Sequence, residues 1–236
     1  MKAGIIGAME QEVAILKSNM TNVTEKQIAN YRYFSGNIGG TEVVLVQSGI
    51  GKVSAALATL LMIEHFSVDY IVNTGSAGGF AKELNVGDIV IGAQLSYHDV
   101  DVTAFGYSIG QVPGMPAYFS AHPVLVKAAQ TGTNELPNIN TITGLITSGD
   151  TFMTKQDDIS KARKNFPTMV AVEMEGAAIA HTCQQFKVPF VVIRSISDIA
   201  GKESATSFDE YLVTAAVNSS QLVLNMLIEL KAKSLN

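Results

Sequence analysis

The chain has 236 residues, of which 47% are hydrophobic and 16% are charged, and its formal net charge is −5. This length allows the core of a single α/β domain, and the acidic balance argues against a surface that binds nucleic acid. A single cysteine, Cys183, excludes an intrachain disulfide and a cysteine-based zinc site. Because the start lacks a signal-peptide pattern and no apolar run approaches the roughly 18–20 residues of a membrane span, we expect a cytoplasmic protein without membrane contact.

The first half of the chain alternates short β-rich apolar runs with stretches of helical period. Glycine pairs mark the turns, and Gly39-Gly40 predicts a hairpin between two strands. The predicted elements are a strand at 2–9, a helix at 10–20, hairpin strands at 31–38 and 41–49, an apolar helix at 51–66, a strand with a glycine turn at 69–79, and a strand at 87–99.

The second half continues the same alternation after an ordered loop at 101–119, which is rich in glycine and aromatic residues. Ser207 and Glu210 have the spacing of a capping box and predict the start of a closing amphipathic helix. The predicted elements are a strand at 141–152, an exposed helix at 157–167, a strand at 169–174, a helix at 175–186, a strand at 189–200 and the closing helix at 207–235.

Several predicted strands are apolar throughout instead of alternating, among them 71–75 and 190–197. Strands of this kind are covered by helices on both faces. We therefore predict a single α/β domain over residues 1–236, with a central, twisted, mixed but mostly parallel sheet flanked by helices. Ligands of such sheets bind at the carboxyl ends of the strands.

Acidic and small hydroxyl side chains recur where the predicted strands end. This convergence predicts a binding site, and the residues are Glu12, Ser76, Ser148, Asp150, Glu173, Glu175, Ser197 and Asp198. Glu173 and Glu175 flank Met174 in an apolar segment without a nearby lysine or arginine in the sequence. Burying a carboxylate costs several kcal/mol unless something compensates it, so these two glutamates require an explanation.

Structural explanations exist for some of these residues. Glu12 could simply favour the start of a helix, and Asp198 could cap the segment after its strand. A metal site at His98, Asp99 and Asp101 is disfavoured because no second histidine has a suitable spacing. No metal or cofactor is therefore expected. Separated carboxylates suit glycosyl chemistry, in which one acid activates water and another protonates the leaving group.

The sequence closely resembles the bacterial 5′-methylthioadenosine/S-adenosylhomocysteine nucleosidases of the nucleoside phosphorylase superfamily. The resemblance covers nearly the whole chain. Its motifs occur in the family's order, and they are GIIGAMEQE, SGIGKVSAA, NTGSAGG, DVTAFGY, SGDTF, VAVEMEGAAIAH and VPFVVIRSISD.

The resemblance implies specific roles for the acidic residues. Glu12 corresponds to the general base that activates water, and Asp198 to the acid that protonates N7 of the departing adenine. Ser197 would help to hold that acid. Glu175 corresponds to the carboxylate that binds the ribose 2′- and 3′-hydroxyls, whereas Glu173 is expected to support the site, held by local backbone or Arg194, or to touch the sugar.

The resemblance also implies an apolar pocket for the rest of the nucleoside. Its expected residues in the same chain are Met9, Ile50, Ser76, Phe152, Met153, Met174 and Phe208. In this family a neighbouring subunit completes the pocket through a loop that corresponds to the one holding Val102 and Phe105. A homodimer is therefore expected.

Three alternatives remain open. A phosphorylase of the same fold would need arginines for phosphate, yet the end of the first strand carries Glu12 and no arginine precedes Arg32. An aminofutalosine-type nucleosidase would use the same acids, and the sequence does not rank its substrate against methylthioadenosine, S-adenosylhomocysteine or 5′-deoxyadenosine. A non-catalytic nucleoside-binding protein would be expected to lack one of Glu12, Glu175 and Asp198.

Overall fold

The structure is a computed structural model that describes residues 1–200, 208–231 and 235 in full, and the backbone alone of residues 204–207. The strands are β1 (Lys2–Gly7), β2 (Thr21–Ile28), β3 (Tyr31–Ile38), β4 (Thr41–Gln47), β5 (Tyr70–Gly79), β6 (Ile89–Tyr97), β7 (Phe119–Ser120), β8 (Thr141–Ser148), β9 (Met169–Glu173) and β10 (Phe190–Ile199). The helices are α1 (Glu10–Ser18), α2 (Lys52–Phe66), α3 (Pro123–Gly132), α4 (Gln156–Asn165), α5 (Gly176–Phe186) and α6 (Ser204–Leu230), with short 3-10 turns at Thr103–Phe105 and Thr133–Glu135.

All of these strands belong to one sheet in the order β10-β6-β8-β9-β5-β1-β4-β3-β2, with β7 on β6. Because β10 pairs with β5 as well as with β6, the part formed by β5, β10, β6, β8 and β9 closes on itself. Helices α1 and α3 pack on α6, which lies against β5 and β10, while α2 and α5 pack on each other. The predicted α/β domain with a mixed sheet between helices is confirmed.

The parallel part of the sheet carries the core. Strand β1 pairs in parallel with β4 and β5, and β5 pairs in parallel with β10. Strands β5 and β10 are buried along nearly their whole length, as their uninterrupted apolar sequences predict. Elsewhere the sheet is antiparallel in places, including the predicted hairpin of β3 and β4 at Gly39-Gly40.

Strand β2, the two-residue strand β7 and helix α3 are not predicted from the sequence. Strand β2 is an exposed edge strand of polar sequence, so it lacks the apolar alternation that predicts strands. Helix α3 begins with Pro123 after the predicted loop and packs its buried face on α6. Proline at the first helical position is a helix-start signal that the sequence analysis does not use.

Several predicted boundaries are wrong; the strands predicted to end at residues 9 and 152, for example, end at Gly7 and Ser148. Gly78 and Gly79 were predicted to form a turn, but they belong to strand β5, because they pair with Val172 and Ala171 of β9. A Cβ on Gly79 would lie 2.9 Å from Ile199 Cδ1, so the absence of a side chain lets the strands approach. Helix α6 begins at Ser204, which places Ser207 inside the helix instead of at a capping box, and it ends at Leu230.

Helix α6 also corrects the expectation that no stretch has the length and hydropathy of a membrane span. Over Phe208–Leu230 the mean hydropathy is 1.3, and 56% of that window is buried inside the fold. The helix packs on β5, β10, α1 and α3. An apolar helix enclosed in this way is typical of a protein core.

Candidate active site

A cavity of about 440 Å³ opens where the predicted strand ends meet. This volume lies in the range of small-molecule sites. The residues that the family resemblance predicts for the pocket within one chain all line it: Met9, Glu12, Ile50, Ser76, Phe152, Met153, Glu173, Met174, Glu175, Ser197, Asp198 and Phe208. Ser148 and Asp150, which were predicted for the site from their places at strand ends, do not line it. Further lining residues are Ala8, Ala77, Gly78, Thr151, Val172, Ala200 and Asp209.

Strand pairing brings distant acids together. Gly78 of β5 pairs with Val172 of β9 on one side and with Asp198 of β10 on the other. The glutamates that follow Val172 therefore lie near Asp198. Because β1 runs parallel to β5, its carboxyl end delivers Glu12 to the same place.

Glu12 is a buried carboxylate held by the backbone of two strand ends. Its Oε2 accepts hydrogen bonds from the N–H groups of Ala8, at 2.7 Å, and Met9, at 3.1 Å. Its Oε1 accepts from the N–H and hydroxyl of Ser76, at 2.9 and 3.1 Å. The contact with Met9 favours the helix start, but the contacts with Ser76 fix the carboxylate against β5 at the cavity wall. Glu12 is therefore both a helix-start residue and a part of the site.

Glu175 has a basic partner that is distant in sequence. Its Oε2 lies 3.5 Å from the guanidinium of Arg194, and its Oε1 accepts a hydrogen bond from the Gly51 N–H at 2.9 Å. The absence of a nearby lysine or arginine in the sequence is therefore misleading, because the fold supplies Arg194 as a basic partner. Each carboxylate oxygen still has capacity for a second donor, so the group can also bind a vicinal diol.

Glu173 is the more completely held of the two glutamates. It forms an ion pair with Arg194 and accepts a hydrogen bond from the Ser148 hydroxyl. It also accepts from the N–H groups of Glu175, at 3.0 Å, and Gly176, at 2.7 Å. Both the local backbone and Arg194 thus hold Glu173, as the sequence analysis proposed among its options.

The pKa of Glu175 is raised to about 7, first by burial and next by the negative charge of Glu173. Glu12 raises it further, whereas Arg194 and the N–H of Gly51 act in the opposite direction. Near neutral pH this carboxyl is therefore partly protonated, and a perturbed carboxyl in a cavity is typical of a functional site.

Asp198 completes the set of buried acids. Its Oδ1 accepts a hydrogen bond from the Ser197 hydroxyl at 3.0 Å, as expected from the resemblance. The same lining contains an aromatic pair, Phe152 and Phe208, whose ring centroids lie 5.5 Å apart in an edge-to-face arrangement. Such a pair offers planar apolar surface for a heteroaromatic ring.

Val102 and Phe105 do not line the cavity of their own chain. Phe105 is 80% exposed in the 3-10 turn. Among the described residues, no group of three or more histidine, cysteine, aspartate or glutamate side chains could hold a metal ion.

Two partnerships were not predicted from the sequence: Arg194 as the shared partner of both glutamates, and the Gly51 N–H as a donor to Glu175. A usable signal existed for Arg194, since it is the one charged residue within the apolar run from Phe190 to Ser197. A charge inside such a strand requires a buried partner. Asp209 in the lining and the contact of Ser148 with Glu173 were missed as well.

Comparison with known proteins gives a consistent result. Residues 2–228 match the family model described as the phosphorylase superfamily. The chain is 64% identical to the 5′-methylthioadenosine/S-adenosylhomocysteine nucleosidase of Colwellia psychrerythraea, over 100% of this chain and 99% of that protein. A crystal structure of this nucleosidase from Colwellia psychrerythraea 34H in complex with adenine has a TM-score of 0.99, covering 100% of this chain and 98% of that one.

Two further structures are similar. The nucleosidase of the same name from Neisseria meningitidis, in complex with methylthio-immucillin-A, is 46% identical with a TM-score of 0.94, covering 96% of this chain and 98% of that one. The futalosine hydrolase of Helicobacter pylori is 35% identical with a TM-score of 0.91, covering 97% and 98% of the two chains.

The raised pKa of Glu175 predicts that this residue destabilises the fold at high pH. The unfavourable contribution is fully present above the folded value of about 7 and disappears below the ordinary value of 4.5. Glu175→Gln is therefore expected to be more stable than the unmodified protein at pH 8, by up to about 3 kcal/mol, with almost no difference at about pH 4. Urea unfolding at both pH values measures this difference.

The matched control is Glu25→Gln on the exposed edge strand, where the Glu25 side chain is 46% exposed and has only a surface pairing with Arg32. This control should change stability by less than about 0.5 kcal/mol at either pH. A Glu175→Gln protein that loses stability relative to the unmodified protein as the pH rises would contradict the prediction.

Proposed function

Because the chain belongs to the phosphorylase superfamily, we propose that it is a nucleosidase that hydrolyses the N-glycosidic bond of 5′-methylthioadenosine and S-adenosylhomocysteine. The products are adenine and the corresponding 5′-thioribose, and 5′-deoxyadenosine is a further candidate substrate. One observation carries the proposal: Glu12, Glu175 and Asp198 are all buried and line a single cavity. The full-length similarity to the Colwellia nucleosidase supports it.

Glu12 is proposed as the general base that removes a proton from the attacking water. Its two oxygens are fixed by the backbone N–H groups of Ala8, Met9 and Ser76. A carboxylate fixed in this way needs little reorganisation before it accepts the proton, which favours the reaction.

Asp198 is proposed as the general acid that protonates N7 of adenine. An adenine anion is a poor leaving group, so protonation during bond cleavage lowers the barrier. Ser197 donates to one oxygen of Asp198 and orients the carboxyl. Phe152 would stack on the purine, close to the backbone of Thr151 and Met153.

Glu175 is proposed to bind the ribose 2′- and 3′-hydroxyls in its ionised form. Two hydroxyls at the spacing of one carboxylate give two charge-assisted hydrogen bonds. Met174 would pack under the sugar, and Met9, Ile50 and Phe208 would contact the 5′-thio substituent, all of them lining residues. The buried negative charges also favour an oxocarbenium-like transition state, in which the sugar becomes cationic.

Phosphorolysis is less compatible with this cavity. Among the described lining residues there is no lysine, arginine or histidine, while five are acidic: Glu12, Glu173, Glu175, Asp198 and Asp209. Arg194 lies behind the lining and is engaged by Glu173 and Glu175. A phosphate dianion would therefore meet negative charge without an available cation.

Futalosine-type nucleosides are a second candidate class of substrate, favoured by the likeness to the Helicobacter pylori hydrolase. The same three acids would act on them, and the 5′ end of the cavity is apolar and open at Ile50, which is 56% exposed. A cytoplasmic location and a role in methionine salvage belong to the proposal, since a methylthioribose product retains the methylthio group.

The decisive experiment is to mix the purified protein with 5′-methylthioadenosine, S-adenosylhomocysteine, 5′-deoxyadenosine or aminofutalosine, with and without phosphate. We expect equal rates of adenine release in both buffers for the methylthio and homocysteinyl substrates, with a free sugar as the second product. A sugar 1-phosphate that forms only when phosphate is present would contradict hydrolysis.

Neutral substitutions separate the two catalytic roles. Glu12→Gln should abolish turnover while a nucleoside ligand still binds, because the amide cannot accept a proton.

Asp198→Asn should lower kcat for adenine substrates at least about 100-fold, the size of a lost general acid. Single-turnover kinetics and ligand titration measure the two effects. The matched control Asp150→Asn, outside the cavity lining, should retain adenine release, and near-normal rates in either active-site variant would refute its role.

A homodimer is also proposed, formed through the face of α2 and α5. This face has a groove of about 430 Å³ lined largely by apolar side chains, including Val53 and Leu57 of α2 and Phe186 of α5. Val53 is 71% exposed in the single chain, which is unusual for an apolar residue in such a cluster. Lys52 of the groove lies two residues after Ile50 of the cavity lining. A partner bound in the groove would therefore be close enough to bring its Phe105 to the cavity.

Val53→Glu is expected to give a monomer, because a charge would be buried at the centre of the proposed interface. Its kcat/KM should fall about ten-fold or more if the partner completes the pocket. Sedimentation velocity gives the mass and adenine release the activity. Val213→Glu on the exposed side of α6, where Val213 is 64% exposed, should remain dimeric and active. An unmodified protein that is monomeric at micromolar concentration would contradict the proposal.

A further inference from the structure

We infer that Ser148 and Glu173 form a buried clamp that positions Glu175 for the sugar hydroxyls, so that both are positioning residues of the proposed reaction. The inference rests on the proposed function and deepens it. Ser148 lies at the end of β8, is fully buried and does not line the cavity. It therefore acts only through its neighbours.

The clamp joins three elements through one hydroxyl and one carboxylate. The Ser148 hydroxyl donates to Glu173 Oε1 and accepts a hydrogen bond from the Ala177 N–H at 2.7 Å. Glu173 Oε2 accepts from the N–H groups of Glu175 and Gly176 at 3.0 and 2.7 Å. The first backbone donors of α5 are thus satisfied from β8 and β9, which fixes the turn that carries Glu175.

Gly176 is the residue that lets the carboxylate close over this turn. A Cβ at that position would lie 3.1 Å from Glu173 Oε1, which is tighter than ordinary contact. The clamp therefore requires a close approach between a side chain and the helix start. Glycine ordinarily weakens the start of a helix, and its occurrence at position 176 is explained by this close approach.

The clamp has an electrostatic effect as well as a geometric one. Glu173 places a negative charge beside Glu175, and both face the same guanidinium, so one cation compensates more than one carboxylate. The charged groups that face or border Glu175 come from α1, β9 and β10, and they are Glu12, Glu173, Arg194 and Asp198. The N–H of Gly51 adds the positive amino end of α2.

This arrangement makes diol binding depend on pH in the neutral range. The raised pKa of Glu175, about 7, means that the empty site is partly protonated near neutrality. A protonated carboxyl accepts fewer hydrogen bonds, so ligands with a diol should bind more tightly as the pH rises through 7. Removing the charge of Glu173 should shift this dependence to lower pH, because burial and Arg194 then act on Glu175 without the repulsion.

The test uses the 7-deaza analogue of 5′-methylthioadenosine, which has no N7 to protonate and should resist hydrolysis. Its dissociation constant is measured between pH 5 and pH 9 by calorimetry. Glu173→Gln should lower the midpoint of the pH dependence by about one pH unit or more. An unchanged or raised midpoint would overturn the inference. The analogue without sugar, 7-deazaadenine, is the ligand control and should show no such midpoint.

Ser148→Ala is the second variant and remains informative if Glu173→Gln does not fold. It should weaken binding of the diol ligand about five-fold or more at pH 8, because the turn loses a fixed anchor. Its midpoint should not fall, since Glu173 keeps its charge. The matched control is Thr147→Val, which removes an equally buried hydroxyl from the same strand where it contacts Met169 instead. Equal affinities in Ser148→Ala and Thr147→Val would overturn the clamp.

The assay of the unmodified protein separates the two proposals. If it releases no adenine from any substrate, the proposed function fails, and this inference fails with it. If it releases adenine but Glu173→Gln leaves the midpoint in place, the clamp alone is refuted. A midpoint that falls in Glu173→Gln but not in Ser148→Ala would support it, because a general loss of stability would affect both variants alike.

Discussion

The buried guanidinium of Arg194 is the interaction on which the site depends. It is completely buried and pairs with Glu173 and Glu175, and it donates to the Asn73 side chain at 2.7 Å. Burial acts to lower the pKa of Arg194, but the carboxylates around it outweigh that effect and raise the pKa above its ordinary value. Without this cation the buried glutamates would be uncompensated, at a cost of several kcal/mol.

The surrounding strands are shaped to admit that charge. A Cβ on Gly75 would collide with both Arg194 Nη1 and Glu12 Oε1, so β5 can pass between the guanidinium and the general-base candidate only without a side chain there. Placing the cation behind the wall leaves the cavity itself acidic. An acidic cavity favours a sugar that becomes cationic and disfavours a phosphate nucleophile, so the same arrangement that stabilises the site also selects the chemistry.

Much of the fold and most of the site could be predicted from sequence, for local reasons. Uninterrupted apolar runs predicted β5 and β10, and acids at strand ends predicted Glu12 and Asp198, because both signals lie within a few consecutive residues. The polar edge strand β2 carries no such signal, and its pairing with β3 is a property of the sheet. The partnership of Glu175 with Arg194 spans 19 residues and depends on strand order, which composition does not encode.

The amino end of α2 has a consequence for how the site communicates with the rest of the molecule. No side chain of its own caps this helix; Glu175 and Asp150 accept from its first N–H groups, on Gly51 and Lys52. Helix α2 also carries the face proposed for the partner subunit. When substrate hydroxyls draw on the Glu175 carboxylate, the first turn of α2 must share its acceptor. Occupancy of the active site would then change the protection of the Gly51 amide from solvent exchange, at the start of the helix that carries the proposed partner face.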